Sequence, residues 1–169
     1  AIQNSSASLS FERVPLSHPI WILYSSGTTG LPKAITHSVG GILLEHLKYL
    51  TFHNDAREGD RLLWYTTTGW MMWNYMQGVL LCGATAVLYD GHPGYPDLNR
   101  LWQLCDEARV NHFGTSAGFI LACRKADVHP PNLNDLRSIS STGSTLPEEG
   151  FEYVYERVKK EIWLASMSG

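Results

Sequence analysis

Short apolar segments that carry almost no charge alternate with amphipathic ones along this 169-residue chain. That alternation predicts an α/β fold, with strands and helices taking turns in a mostly parallel sheet covered on both sides. Two further observations agree. Charged residues are only 17% of the chain and apolar residues 44%, a balance suited to elements buried on both faces. Glycine- and hydroxyl-rich turns also follow the predicted strands, and ligands of parallel sheets bind beyond the carboxyl ends of the strands. The length suits one domain or part of one.

The elements follow in order. Residues 1–10 are polar and read as a mobile leader, so residues 1–18 stand ahead of a domain over 19–169. Residues 21–24 (Trp-Ile-Leu-Tyr) read as a buried strand. A helix is expected over 38–52, with Val39, Leu43, Leu47 and Leu50 on one face. Residues 61–66 and 85–89 read as strands, and the apolar run 71–81 between them as a helix. Asp97 has the character of an N-cap for a helix carrying Leu98, Leu101, Cys105 and Ala108 on one face. A strand over 111–115, a short helix over 119–125 and a Pro/Asn-rich surface loop over 129–135 come next.

Residues 137–142 form the penultimate predicted strand. Pro147 then suits a first helical position, Glu148 and Glu149 complement the positive helix end, and Lys159 and Lys160 the negative end. Phe151, Val154, Tyr155 and Val158 make the apolar stripe of that helix. The last strand spans 162–165.

Composition also narrows the function. A net charge of −3 carries no nucleic-acid or anionic-membrane signature, and no apolar run reaches the length of a membrane span. The first ten residues lack a signal-peptide pattern. Cys82, Cys105 and Cys123 sit in apolar settings and read as reduced core residues of a cytoplasmic protein. The seven histidines have no metal-ligand spacing, so no metal site is expected on the chain.

The most specific motif runs from Tyr24 to Ile35: Tyr-Ser-Ser-Gly-Thr-Thr-Gly-Leu-Pro-Lys-Ala-Ile. Gly27 and Gly30 let the backbone approach a ligand. Ser25, Ser26, Thr28 and Thr29 offer hydroxyls, and Lys33 adds a mobile positive charge. A strand–loop–helix element of this kind suits a polyphosphate. It is not a Walker A loop, because Pro32 precedes Lys33 and Ala34 follows it. A Ser/Gly-rich surface turn is the plainer alternative.

Two other motifs follow predicted strands. Residues 66–74 (Thr-Thr-Thr-Gly-Trp-Met-Met-Trp-Asn) place two tryptophans and two methionines after a Thr-Gly turn, as in an adaptable apolar pocket or an ordinary core. Residues 140–147 (Ser-Ser-Thr-Gly-Ser-Thr-Leu-Pro) open the last helix, which Ser144 or Thr145 could cap.

The pattern Ser-Gly-Thr-Thr-Gly-x-Pro-Lys resembles the phosphate-binding loop of the adenylate-forming superfamily of acyl-CoA synthetases, adenylation domains and luciferases. Over about residues 19–169, the motifs Gly-Trp-Met-Met-Trp-Asn, Val-Leu-Tyr-Asp-Gly, Ser-Thr-Gly-Ser, Glu-Tyr-Val-Tyr and Ser-Met-Ser-Gly resemble its acetoacetate-activating branch. The resemblance implies the central part of that superfamily's N-terminal domain. It also implies an acid–thiol ligase that uses ATP, Mg²⁺ and CoA, forming acetoacetyl-adenylate and then acetoacetyl-CoA.

The site residues it implies are Ser25, Ser26, Gly27, Thr28, Thr29, Gly30 and Lys33 for the ATP phosphates, and Gly143, Ser144 and Thr145 for adenine. Trp70, Met72, Thr142 and Gly169 would line the acyl pocket. Acetyl-CoA synthetases have Gly-Glu-Pro at the adenine turn, where this chain has Gly-Ser-Thr. They also close the acyl pocket with a tryptophan at the position that Gly169 corresponds to. The family's Thr-Glu or Thr-Asp turn, ribose aspartate, hinge and lysine-bearing lid domain are not in these 169 residues. No catalytic residue is therefore assigned, and the piece alone is expected to be inactive. The alternatives are another short-chain acyl-CoA synthetase, a carrier-loading adenylation domain or a non-catalytic nucleotide-binding module. No nucleic-acid or membrane partner is expected.

Overall fold

The computed structural model describes residues 8, 10–25 and 30–168. The chain forms two compact units, Ala1–Leu44 and Glu45–Gly169.

In the first unit, β1 (Pro19–Ser25) pairs antiparallel with β2 (Lys33–Ser38), and Ser25 lies opposite Lys33 at the loop end of the ladder. The indole N–H of Trp21 donates to His37 Nδ1 at 3.0 Å. This hairpin corrects the expectation of a strand–loop–helix element. Ile35 and Thr36 are β-branched, and 33–38 pairs with β1 before any helix begins. The dipole of a following helix therefore plays no part at this loop. β1 also departs from the expected buried strand: Trp21, Leu23 and Ser25 are half-buried, while Ile20, Ile22 and Tyr24 are exposed.

The helix α1 (Val39–Lys48) carries the chain from the first unit into the second and continues as a π-helical turn, Tyr49–His53. Its covered residues are shifted from the expected stripe, since His46 is buried and Leu47 is exposed.

The second unit is a five-stranded parallel sheet in the order β4-β3-β5-β6-β7. Its strands are β3 (Arg61–Trp64), β4 (Thr85–Val87), β5 (His112–Ser116), β6 (Ser138–Thr142) and β7 (Trp163–Ser166). The chain leaves β3 toward β4 and returns to the other side of β3 with β5. The strand order thus reverses between β3 and β5, the kind of position beside which ligands bind in open sheets.

The connecting helices are α2 (Met71–Gln77), α3 (Arg100–Glu107), α4 (Ala117–Lys125) and α5 (Glu148–Tyr153). Alternation along β3 feeds two cores. Leu62 and Trp64 pack with Met72, Tyr75 and Met76 of α2, while Leu63 packs with Phe113, Ile139, Trp102 and Ile120. Every residue of β6 is buried. Among the described residues, no helix is long and apolar enough to cross a membrane.

Local details differ from expectation for identifiable reasons. Asp97 does not cap α3; its carboxylate accepts from the Asn99 N–H at 2.8 Å, one turn earlier, and Asn99 holds the cap position. Pro147 stands at the N-cap of α5 rather than inside it, and neither Ser144 nor Thr145 caps that helix. A π-helical turn, Val154–Val158, follows α5; Gly150, Tyr153 and Val154 form the buried face at ordinary helical spacing, and Tyr155 is exposed. Lys159 reaches away from its own helix and donates to the carbonyls of Leu133, Asn134 and Leu136 at 2.7–3.1 Å. Cys105 and Cys123 are buried free thiols, the second pushed up to about 11 by burial, whereas Cys82 is half-buried.

A buried polar network ties the amino ends of three strands. Asp60, just before β3, accepts from Arg137 Nη1 at 2.8 Å and Nη2 at 2.6 Å. His112 Nε2 lies 3.0 Å from Asp60 Oδ2, and its Nδ1 2.8 Å from Ser138 Oγ. A neutral ring that donates to Asp60 and accepts from Ser138 satisfies both. Burial acts to raise the Asp60 carboxyl, but hydrogen bonds from Arg137, His112 and the Arg57 N–H outweigh it and hold it at about 2. Burial lowers His112, against the opposing pull of Asp60.

Both folded values lie below those of the unfolded chain, about 3.9 for Asp and 6.5 for His. Both contributions are therefore present at neutral pH and lost as the pH falls. Urea midpoints should drop below about pH 6.5 as His112 begins to favour the unfolded chain, and again between about pH 4 and pH 2 through Asp60. Asp60→Asn should cost about 3 kcal/mol at pH 7. That is the low end for breaking a buried pair, because the Arg137 side chain is 37% exposed. It should also flatten the acid limb. An Asp60→Asn midpoint equal to wild type at pH 7 would contradict this account.

Candidate functional site

The carboxyl ends of β6 and β7 build the most specific cleft, about 590 Å³, lined by residues 142–146, Phe151 and 166–168. The chain leaves β6 at Thr142 and turns at Gly143, whose φ of +89° lies in the left-handed region. A Cβ on Gly143 would come within 4.0 Å of the Trp70 indole, so Trp70, at the start of α2, borders the turn that follows β6. Gly143, Ser144 and Thr145 are exposed, and the side chains of Leu146, Phe151 and Met167 give the cleft an apolar wall. An exposed polar turn beside such a wall suits a planar ring with hydrogen-bonding edges.

Three bonds hold this turn. The Thr142 hydroxyl donates to the Met167 carbonyl at 3.0 Å, the Leu146 N–H to Ser166 Oγ at 3.2 Å, and the Met167 N–H to the Ser141 carbonyl at 2.8 Å. Thr142 is 8% exposed.

A second cleft, about 580 Å³, opens at the carboxyl ends of β3 and β4. Trp64, Tyr65, Trp73 and Tyr89 make it aromatic, and the Tyr65 hydroxyl donates to the Gly91 carbonyl at 3.3 Å.

The predicted site residues divide among these places. Gly143, Ser144, Thr145 and Thr142 line one cleft, and Trp70 borders its turn. Met72 is 4% exposed in the core with Leu62 and Trp64 and lines neither cleft, whereas Trp73 and Met76 of the same helix line the second. In the other unit, Ser25 and Lys33 face each other across the hairpin mouth, and Gly30 is exposed with open space where a Cβ would stand. Ser26, Gly27, Thr28, Thr29 and Gly169 lie outside the described residues.

Ser166, Leu146 and Phe151 are site residues that the sequence reading did not single out. Ser166 could have been found by register, since it sits opposite Ser141, next to the Gly143 turn. Among the described residues, no three His, Cys, Asp or Glu side chains stand together as a metal site would require.

The chain is similar to known proteins in sequence and in fold. Acetoacetyl-coenzyme A synthetase of Rhizobium meliloti (strain 1021) is 52% identical over 164 residues, covering 95% of this chain and 25% of that protein. Acetoacetyl-CoA synthetase of Gallus gallus is 45% identical over the same length and coverage. The solved structure of acetoacetyl-CoA synthetase from Streptomyces lividans matches with a TM-score of 0.91 at 48% identity, over 98% of this chain and 27% of that one. The chain thus spans about a quarter of the length of the curated relatives it matches. The AMP-binding enzyme family profile matches residues 3–165, and the chain belongs to the AMP-binding enzyme family.

Proposed function

We propose that this chain is the central part of the N-terminal domain of an acetoacetate–CoA ligase, working in the cytoplasm. The observation that carries the reading is the cleft at the ends of β6 and β7. There a left-handed glycine, two hydroxyl residues and an apolar wall face a common space beside Trp70.

The reaction has two halves. The acetoacetate carboxylate attacks the α-phosphorus of ATP, giving acetoacetyl-adenylate and pyrophosphate. The CoA thiol then attacks the acyl carbon, and AMP leaves. The 143–145 turn seats the adenine, with backbone groups approaching the ring at Gly143. Trp70, Thr142 and Gly169 bound the acyl group, and Trp70 packs against the core cluster that contains Met72. Residues 25–30 and Lys33 hold the β- and γ-phosphates and stabilise the departing pyrophosphate. This is positioning and electrostatic work rather than covalent chemistry. Mg²⁺ arrives with ATP as part of the substrate.

A substrate panel tests the reading. Full-length protein should release pyrophosphate faster with acetoacetate than with acetate, butyrate or 3-hydroxybutyrate. Gly169→Trp should fill the pocket floor and lower kcat/KM for acetoacetate by about ten- to two-hundredfold relative to acetate. Gly169→Ala should spare both acids. Equal loss of both acids in Gly169→Ala would mean that the glycine serves backbone geometry and not pocket size.

Thr28→Val should slow adenylation by about a hundredfold, the usual consequence of losing one preorganised donor at a developing charge. Thioester formation from synthetic acetoacetyl-adenylate should be nearly untouched, because pyrophosphate has already left. Single-turnover kinetics from the two starting points separate the steps, and equal losses in both would refute the phosphate role.

A further inference from the structure

The structure assigns a positioning role to Thr142 and Ser166: their hydroxyls clamp the 143–145 turn to the end of β7 and so fix the distance between the nucleotide seat and the acyl pocket. This inference rests on the functional reading above.

The two bonds bracket the turn. At its entry the Thr142 hydroxyl donates to the carbonyl of Met167, at 3.0 Å. At its exit the Ser166 hydroxyl accepts from the N–H of Leu146, at 3.2 Å. They act where the β6–β7 register ends, at the pair Ser141↔Ser166. Beyond that pair, among the described residues, the bond from Met167 N–H to the Ser141 carbonyl is the one that joins the two backbones. Gly143, between the two clamp points, has the backbone freedom to pivot.

The Thr142 hydroxyl proton is engaged by Met167, so this side chain offers the cleft its methyl group rather than a donor. Ser166 is exposed at the cleft, and its oxygen accepts from the N–H of Leu146, which is 3% exposed, while its own proton stays free. Both hold one wall of the nucleotide seat against residues 167–168, which lead to Gly169.

If the clamp sets the separation of two bound reactants, its loss should harm their mutual alignment more than the binding of either alone. The test uses full-length enzyme with Thr142→Val, Thr142→Ser, Ser166→Ala and the Thr142→Val/Ser166→Ala pair. The readouts are AMP affinity by calorimetry, the single-turnover rate of pyrophosphate release at saturating ATP and acetoacetate, and thermal melting.

Thr142→Val should slow pyrophosphate release by about two- to tenfold, the effect of one net hydrogen bond, with AMP affinity within about twofold of wild type. Thr142→Ser should restore the rate. Ser166→Ala should behave like Thr142→Val, and the double variant should lose less than the product of the two, because both bonds hold one turn. Should Thr142→Val fail to fold, Ser166→Ala decides by the same readouts.

An unimpaired Thr142→Val or Ser166→Ala overturns the clamp. So does a Thr142→Ser as slow as Thr142→Val, which would make the methyl packing and not the hydroxyl responsible. A rate loss matched by an equal loss of AMP affinity also overturns it. Wild-type enzyme that releases no pyrophosphate with acetoacetate overturns the functional reading, and the clamp's alignment role with it.

Discussion

The carboxylate of Asp60 ties together strands that lie far apart in sequence. It sits just before β3, takes both Nη groups of Arg137 just before β6, and faces the imidazole of His112 at the start of β5. His112 in turn meets Ser138, its register partner in β6. One buried anion thus aligns the amino ends of three adjacent parallel strands. In a sheet covered on both faces, a slip of one residue would turn every side chain to the wrong layer. Fixing the register at the amino edge therefore decides which residues emerge at the carboxyl edge, and those residues line the two clefts.

Such an edge suits nucleotide chemistry because it separates stability from function. The amino edge carries the buried ion pair, and the two apolar cores hold the faces. The carboxyl edge is left to turns, where glycine and hydroxyl residues can face a ligand. Gly143 is the point where this matters most: its left-handed backbone makes the turn that Thr142 and Leu146 bond to Met167 and Ser166. The adjoining aromatic cleft at the ends of β3 and β4 is built on the same edge, so both concavities follow from one strand alignment.

Much of this was legible in the sequence. Residues 61–66, 111–115 and 137–142 read as strands because they are short, apolar or small, and nearly free of charge, and the structure has strands at Arg61–Trp64, His112–Ser116 and Ser138–Thr142. The Ser-Thr-Gly-Ser and Gly-Trp-Met-Met-Trp motifs marked the carboxyl edge. The failures have physical causes. Residues 33–38 read as part of a connection to a helix, because their pairing with Pro19–Ser25 is visible only in three dimensions. Met72 and Trp73 could not be assigned to core or cleft from a run of four large side chains, since a single turn of α2 sends neighbours to different places. Tyr155 reads as core because Phe151, Val154, Tyr155 and Val158 share one helical face, but the buried face is centred on Gly150, Tyr153 and Val154. Ser166 escaped notice because a serine in a strand carries no signal until its register partner is known.

The most direct test of the central claim is a crystal structure of the full-length protein with a non-hydrolysable acetoacetyl-adenylate analogue. The account predicts adenine against the backbone of residues 143–145, with the acyl chain directed toward Trp70 and the end of β7. Adenine bound instead in the aromatic cleft at the ends of β3 and β4, with the 143–145 turn left untouched, would contradict it.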